Sequence, residues 1–120
     1  MSNARDLADQ GHQLVAWVSF IGGQVTDPAS KTGVNGSFGV DSILDEGTGA
    51  YRVNFAVDMP DINYCVVMGQ NATNYTTGGL THQYFSESHN HYAAGYFQVK
   101  CITSNGTAAD TQTVNAAVFR

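Results

Sequence analysis

The chain has 120 residues and a mass of 12.8 kDa, the size of one compact domain with one hydrophobic core. Ten acidic residues against five Lys and Arg give a formal net charge of −5, and the five cations are scattered along the sequence. Because a nucleic-acid binder needs a basic face to neutralise phosphates, we expect no direct binding to DNA or RNA. Only 12% of residues are charged, and abundant Gly, Thr and Asn favour strands joined by tight turns.

The N-terminal segment has the pattern of one short helix. Ser2 and Asn3 are candidate N-cap residues, and Gly11 is a natural C-terminal stop. A helix of this length is marginal alone, so the segment either docks on a neighbour or stays a loosely ordered leader. It lacks the residue series of a signal peptide, and no apolar run in the sequence is long enough to span a bilayer. We predict a leader over residues 1–12, synthesis in the cytoplasm and no membrane insertion.

From Leu14 the apolar pattern changes to period two, which is typical of β-strands. One face of this first strand carries Val18 and its alternate neighbours, and the other face carries Trp17. Both faces are largely apolar. Such a strand is either central in the fold or covered on its second face by another subunit.

Alternation punctuated by Gly, Asp and Pro continues to the C-terminus and predicts about seven strands. Residues 22–37 are dense in turn-forming residues and are interpreted as a long loop, and residues 45–49 as a hairpin turn. The spacing of the turns predicts an all-β fold, an antiparallel β-sandwich or jelly-roll-like domain, over residues 13–120. The predicted strands lie near 14–21, 38–44, 50–58, 63–69, 80–86, 95–103 and 113–119.

The sequence contains little that is typical of an enzyme. There is no Gly-x-Ser-x-Gly nucleophile elbow, and neither Cys65 nor Cys101 has a catalytic neighbourhood; both are expected to be buried and reduced. Two of the turn carboxylates could converge as in a glycosidase, but turn geometry explains them without catalysis. We predict no enzymatic activity and no cofactor. The turn carboxylates are Asp45, Glu46, Asp58 and Asp61.

Aromatic residues are dense between Met68 and Val99. Aromatic side chains favour strands, and in an alternating pattern half of them face the core. Tyrosine also offers a rigid apolar face with a polar tip, which suits the binding of sugars or proteins at an exposed surface. Both interpretations stay open for the group as a whole. Its members are Tyr75, Tyr84, Phe85, Tyr92, Tyr96 and Phe97.

His89 and His91 lie between two predicted strands that form a hairpin, Leu80 to Phe85 and Gly95 to Cys101. If the second strand extended back to His89, both imidazoles would face the core and need hydrogen bonds or a metal, with His82 as one further ligand. An exposed hairpin tip is the preferred interpretation, because binding concentrates in loops on a rigid scaffold. We predict a solvent-facing ligand- or receptor-binding surface and no metal, with His89 and His91 as the metal candidates otherwise. The predicted surface comprises Tyr75, Tyr84, His89, His91 and Tyr92.

Three segments carry a family resemblance: AWVSF at residues 16–20, SFGVDSILDEGTGAYRVNFAVDMPDINYCV from Ser37 to Val66, and SNGTAADTQTVNAAVFR at the C-terminal end. Together with the opening SNARDLAD, they resemble a small β domain found at the C-termini of bacteriophage tail-fibre proteins, notably those of cyanophages and other marine phages.

The resemblance implies a virion structural protein, a homotrimer that acts as a tail fibre or tail-tip component in attachment to the bacterial host. It further implies a host surface glycan or protein as receptor, and contact with other tail or virion proteins through the N-terminal segment. Because the leader runs almost directly into the domain without a long shaft, the alternative is a decoration or adaptor protein of the capsid, neck or tail with a purely structural role. Residues 69–95 depart most from the family pattern, and specificity is expected there.

Overall fold

A computed structural model describes residues 13–71, 79–83, 92–103, 108, 110 and 112–120, with the backbone alone at 71, 79–83 and 103. Over these ranges the protein is a sandwich of two antiparallel β-sheets, which confirms the predicted fold class. The leader predicted over residues 1–12 lies outside the described residues, so the division of the chain at residue 12 stays a prediction.

The described part of the chain contains eight strands, four in each sheet. The strands are β1 (Leu14–Phe20), β2 (Val34–Phe38), β3 (Val40–Gly47), β4 (Ala50–Phe55), β5 (Cys65–Asn71), β6 (Gly79–Gln83), β7 (Tyr96–Thr103) and β8 (Thr113–Phe119). Sheet A has the strand order β2-β1-β8-β5, and sheet B has the order β3-β4-β7-β6. The chain therefore changes sheets between β2 and β3, β4 and β5, β5 and β6, and β7 and β8.

Alternate side chains from both sheets meet in the core. In β1, Val18 and Phe20 are buried, whereas Trp17 is 38% exposed, as period two predicts. The Phe20 ring packs edge-on against Tyr51 of β4, with the ring centroids 5.2 Å apart. The β7 residues Phe97 and Val99 are also buried. Burying one apolar side chain of this size stabilises the fold by about 1.5–3 kcal/mol, so these contacts hold the two sheets together.

The chain passes from sheet A to sheet B at Gly39, between β2 and β3. Its φ is +71°, and a Cβ at this position would lie 2.7 Å from the carbonyl oxygen of Val15. Only glycine combines this backbone conformation with so close an approach. The sequence interpretation is wrong for residues 34–37, which it places in a loop and which form β2 together with Phe38. Their backbone pairs with β1, from Trp17 opposite Phe38 to Phe20 opposite Val34.

Two predicted hairpins are present. Residues 48–49 turn β3 into β4, and Gly49 has a φ of +69°, which glycine adopts readily. β6 pairs with β7, from Gly79 opposite Thr103 to Gln83 opposite Val99, which confirms the predicted pairing of these two segments. Residues 84–91, where the sequence predicts the tip of that hairpin, lie outside the described residues.

Other expectations need correction in detail. β4 ends at Phe55 rather than near residue 58, and β5 starts at Cys65 rather than near residue 63. Cys101 is buried as predicted, but Cys65 is exposed, because it shares the outward face of β5 with Val67; both thiols are free. In the described ranges no helix is long and apolar enough to cross a membrane.

Candidate functional site

The outer face of sheet B carries several polar side chains on β4 and β7. In β4, Tyr51 and Val53 point into the core, so Arg52 points outward between them. In β7, the same alternation turns Gln98 and Lys100 away from the core. Register places Arg52 directly opposite Gln98, which brings two polar side chains from distant parts of the sequence into contact distance.

A groove of about 390 Å³ lies on this face, near the β3–β4 hairpin. Its volume is within the range of about 300–1,000 Å³ that small-molecule sites occupy. We call it the polar groove. It is lined by Glu46, Gly47, Thr48, Ala50, Arg52, Gln98, Val99 and Lys100.

Hydrogen bonds fix the side chains at the centre of the polar groove. Arg52 Nη2 lies 3.1 Å from Glu46 Oε2, and Gln98 Nε2 donates to both oxygens of Glu46 at 3.0 and 3.2 Å. The guanidinium carbon of Arg52 lies 4.2 Å from the centre of the Tyr96 ring, a cation–π contact. Glu46 is therefore held in one orientation by neighbours on two other strands.

Two buried polar atoms at the groove have no partner in the described part of the chain. Gln98 is only 6% exposed, and its Oε1 accepts no hydrogen bond there; Arg52 Nε donates none. An unsatisfied buried polar group costs about 1–3 kcal/mol, so native proteins usually provide such atoms with a partner.

The one predicted binding residue that the structure describes is Tyr92. It is partly buried and packs against the core, and its role in binding stays a prediction. Its ring meets Tyr64 edge-on with centroids 5.0 Å apart. The Tyr64 hydroxyl lies 2.9 Å from the carbonyl oxygens of both Ala93 and Tyr96. Tyr64 thereby anchors the chain that enters β7.

The remaining predicted binding residues, Tyr75, Tyr84, His89 and His91, lie outside the described residues, and their role stays a prediction. Residues 72–78 precede β6 and residues 84–91 follow it, so the two segments are attached at opposite ends of a strand of five residues. Within the described ranges no group of three or more potential metal ligands occurs. The question of a metal at His89 and His91 is outside that search.

A row of apolar side chains crosses the outer face of sheet A. Register aligns four side chains in one row across all four strands: Phe38 opposite Trp17, Trp17 opposite Ala117, and Ala117 opposite Val67. Phe38 and Val67 are 57% and 56% exposed. We call this row the apolar face. The depression that includes Trp17, Val67 and Ala117 has a volume of about 420 Å³, and no charged residue lines it.

Sequence reasoning missed the polar groove. It interpreted Glu46 as a turn residue and did not select Arg52 or Gln98. Alternation in β4 and β7 does predict that both point outward. Nothing in the sequence shows that β4 pairs with β7 in the register that joins Arg52 to Gln98, since these two residues are 46 positions apart (98 − 52).

No protein-family model and no curated protein matches the chain. Among solved structures, the fold is similar to part of the phiAB6 tailspike, whose crystal structure is in complex with three-repeated oligosaccharides of Acinetobacter baumannii surface polysaccharide. The TM-score is 0.55 at 20% sequence identity, over 86% of this chain and 19% of the tailspike chain. At this identity the likeness shows a shared β-sandwich fold, and it spans about a fifth of the tailspike.

Proposed function

We propose that the chain is a structural protein of a phage virion, a tail fibre or tail-tip component that attaches the particle to its bacterial host. The observation that carries this proposal is the difference between the two outer faces of the sandwich. One face carries a row of apolar side chains across four strands, and the other holds a polar groove. A surface that associates with protein on one side and binds a polar ligand on the other suits an attachment protein.

The shared fold with part of a tailspike supports this proposal, since that protein was solved with a bacterial surface polysaccharide fragment. The resemblance of the sequence to tail-fibre domains supports it independently. We therefore propose that the chain is located in the virion tail and that its receptor is a host surface glycan or protein.

The apolar face is proposed to be the interface of a homotrimer. Exposed apolar side chains that form one contiguous row are typical of an association surface. Trp17 lies in that row and Phe38 and Val67 lie at its two ends, so a neighbouring copy would cover all three. In an assembly with closed symmetry, this surface is covered by a neighbouring copy on every chain. Threefold symmetry comes from the tail-fibre resemblance.

The proposed contacts of the assembled protein follow from the remaining predictions. Residues 1–12 would bind other tail or virion proteins. The residues Tyr75, Tyr84, His89, His91 and Tyr92 would contribute to host recognition, with Tyr92 acting from a partly buried position. No metal is required for this role.

The proposed role is binding rather than catalysis. Most glycosidases need two carboxyl groups that flank the bond to be cleaved. Glu46 is the one carboxylate among the residues that line the polar groove, and Arg52 and Gln98 already hydrogen-bond it. This arrangement supports a site that holds a ligand without cleaving it.

A second candidate function is a decoration or adaptor protein of the capsid, neck or tail. The apolar face supports this candidate as well, because a different virion protein could cover the row from Phe38 to Val67 in place of a second copy of this chain. Such a protein would have no affinity for the host.

Competition for adsorption tests attachment directly. Purified chain, added to host cells before the phage, is expected to reduce the fraction of particles that adsorb, and the same mass of heat-denatured chain is the control. Binding of the labelled chain to the cells is measured in parallel. Undiminished adsorption, together with no binding to the cells or to their isolated surface glycans, would favour the structural candidate instead.

A further inference from the structure

We propose that copies of the chain associate by inserting Phe38 of one copy into the depression beside Trp17 of the next. The depression lies between Trp17 and Val67, with Ala117 between them in the register of sheet A. This inference rests on the proposed function, in which the apolar face joins copies of an attachment protein. It adds the side chain that is inserted and the place that receives it.

The packing of Trp17 against β2 keeps the depression open. A Cβ on Gly36 would lie only 3.1 Å from Cη2 of Trp17, so the indole ring leans over β2 and away from β8. On the β8 side, the methyl group of Ala117 fills little of the space between Trp17 and Val67. The resulting volume of about 420 Å³ is within the range of about 300–1,000 Å³ found for small-molecule sites, so one aromatic side chain fits.

Phe38 projects from the opposite edge of the same sheet. It lies on β2 and Val67 lies on β5, and these are the two edge strands of sheet A in the described part of the chain. Phe38 is 57% exposed, so more than half of an aromatic side chain is in contact with water. Because each chain carries one inserting residue and one depression at different places, the copies can fill each other's depressions in a closed ring.

The exposed apolar area is of the size that such an interface needs. Among the residues whose side chains the structure describes, every exposed large apolar residue that belongs to a strand belongs to sheet A. Their exposed area is on the order of 400 Å². One partner in a standard interface contributes roughly 800 Å², of which about 57% is apolar. These residues are Leu14, Trp17, Phe38, Val67 and Phe119.

The charge distribution favours a second copy as the partner. The chain has a formal net charge of −5, so two copies repel each other where their charged surfaces meet. No charged residue of the described part of the chain lines the depression, and the row from Phe38 to Val67 contains none. Copies that meet at this face therefore place no like charges against each other.

A double-mutant cycle, measured by sedimentation equilibrium of the full chain, tests the contact. Phe38→Ala removes the inserted ring and is expected to weaken association about tenfold or more per contact, because burial of an apolar side chain is lost. Ala117→Leu fills the depression and is expected to weaken association of the otherwise wild-type chain. In the double variant the added leucine has no ring to displace, so its effect is expected to disappear or to become favourable.

The sheet order makes this coupling a signal of contact between chains. Strand β1 separates β2 from β8, which places Phe38 and Ala117 of one chain about 10 Å apart, two strand spacings. Substitutions at that separation normally act independently within one chain. Where dilution alone does not dissociate the wild type, urea below the unfolding transition is added to all samples.

Fluorescence of Trp17 reports on the depression itself, because it is the one tryptophan in the sequence. Dissociation of the wild type is expected to shift its emission to longer wavelength as water reaches the ring. Ile62→Ala is the matched control, since Ile62 is 56% exposed but lies between β4 and β5, outside the strands of sheet A. It is expected to leave association and emission unchanged. An unchanged melting temperature of each dissociated variant shows that the fold is intact.

Three results would overturn the inference: additive effects of Phe38→Ala and Ala117→Leu, emission of Trp17 that does not change on dissociation, or a wild type that is monomeric at every concentration. A monomer would leave the face to a different virion protein. Failure of the proposed function is a separate result. A chain that makes this contact but neither binds host cells nor competes for adsorption refutes attachment alone, and a chain that competes while the cycle is additive refutes the contact alone.

Discussion

At the scale of single residues, two buried tyrosines connect the sandwich through their hydroxyl groups. The Tyr51 hydroxyl donates to Asp110 Oδ1 at 2.9 Å, and the same oxygen accepts the backbone N–H of Gly49 at 2.8 Å. Asp110 thereby ties the connection between β7 and β8 to the β3–β4 hairpin. Alternation predicts that Tyr51 is buried, but not the identity of its acceptor, which lies 59 positions away.

Removal of the Tyr64 hydroxyl is expected to destabilise the fold. Tyr64→Phe keeps the ring contacts with Phe55 and Tyr92 but leaves the carbonyl oxygens of Ala93 and Tyr96 without this donor. The expected loss in the free energy of unfolding is about 1–2 kcal/mol. Urea denaturation followed by circular dichroism measures it. A loss below the error of the measurement would show that water replaces the hydroxyl.

Alkaline pH is expected to destabilise the protein through the same two tyrosines. Burial, and for Tyr51 also the hydrogen bond to Asp110, raises the pKa of both groups well above the ordinary value of a tyrosine. Above about pH 10 the unfolded chain releases these protons and the folded chain keeps them, so the free energy of unfolding falls by about 1.4 kcal/mol per pH unit for each tyrosine. Urea denaturation from about pH 8 to about pH 11 measures the slope.

The double variant Tyr51→Phe with Tyr64→Phe is the control for the pH dependence. It removes both titrating groups, so its stability is expected to fall less steeply with pH than that of the wild type. Equal slopes for the two proteins would assign the alkaline loss to other groups, such as the lysines.

At the scale of elements, the period-two pattern predicts the strands that bury one face. It does not predict β2, which buries neither face. β4 alternates strictly between buried and half-buried residues, and β8 nearly so. β2 has no fully buried residue and is rich in small polar residues, so its side chains carry no periodic signal. Its place in sheet A depends on backbone pairing with β1, which side-chain patterns do not encode.

Gly39, where β2 turns into β3, provides the test at this scale. Gly39→Ala adds a Cβ to a residue with φ of +71° and only 2.7 Å from the Val15 carbonyl oxygen, and it is expected to cost about 2–4 kcal/mol. Gly23→Ala is the matched control, because a Cβ at Gly23 meets nothing within 4 Å, and its cost is expected to be below about 1 kcal/mol. Thermal denaturation of both variants measures the two losses of stability. Equal losses would contradict the close approach at Gly39.

At the scale of the whole molecule, the two outer faces of the sandwich indicate what each side of the protein contacts. The sequence predicted that the second face of the Trp17 strand needs a cover, and the structure shows how far that apolar surface extends, because register aligns residues from four strands that are distant in sequence. Neither this row nor the polar groove could be derived from the sequence. Both depend on long-range pairing between strands rather than on local pattern.

The apolar face is expected to hold the protein in a homotrimer. Val67→Lys places a charge in the row while changing the stability of a single chain by less than about 1 kcal/mol, because Val67 is 56% exposed. Sedimentation equilibrium at micromolar concentration is expected to give the mass of three chains of 12.8 kDa for the wild type and a lower mass for Val67→Lys. Val57→Lys is the matched control, since Val57 is 81% exposed and lies outside the row. A monomeric wild type would contradict the trimer.

The location of the chain in an intact particle tests the central claim, that the chain is a tail-fibre or tail-tip component, most directly. Immunogold labelling of purified virions with an antibody raised against the chain, viewed by electron microscopy, gives that location. The account predicts gold at the tail fibres or the tail tip, and loss of label when the antibody is first saturated with purified chain. Label on the capsid or neck, or none on any particle, would contradict it.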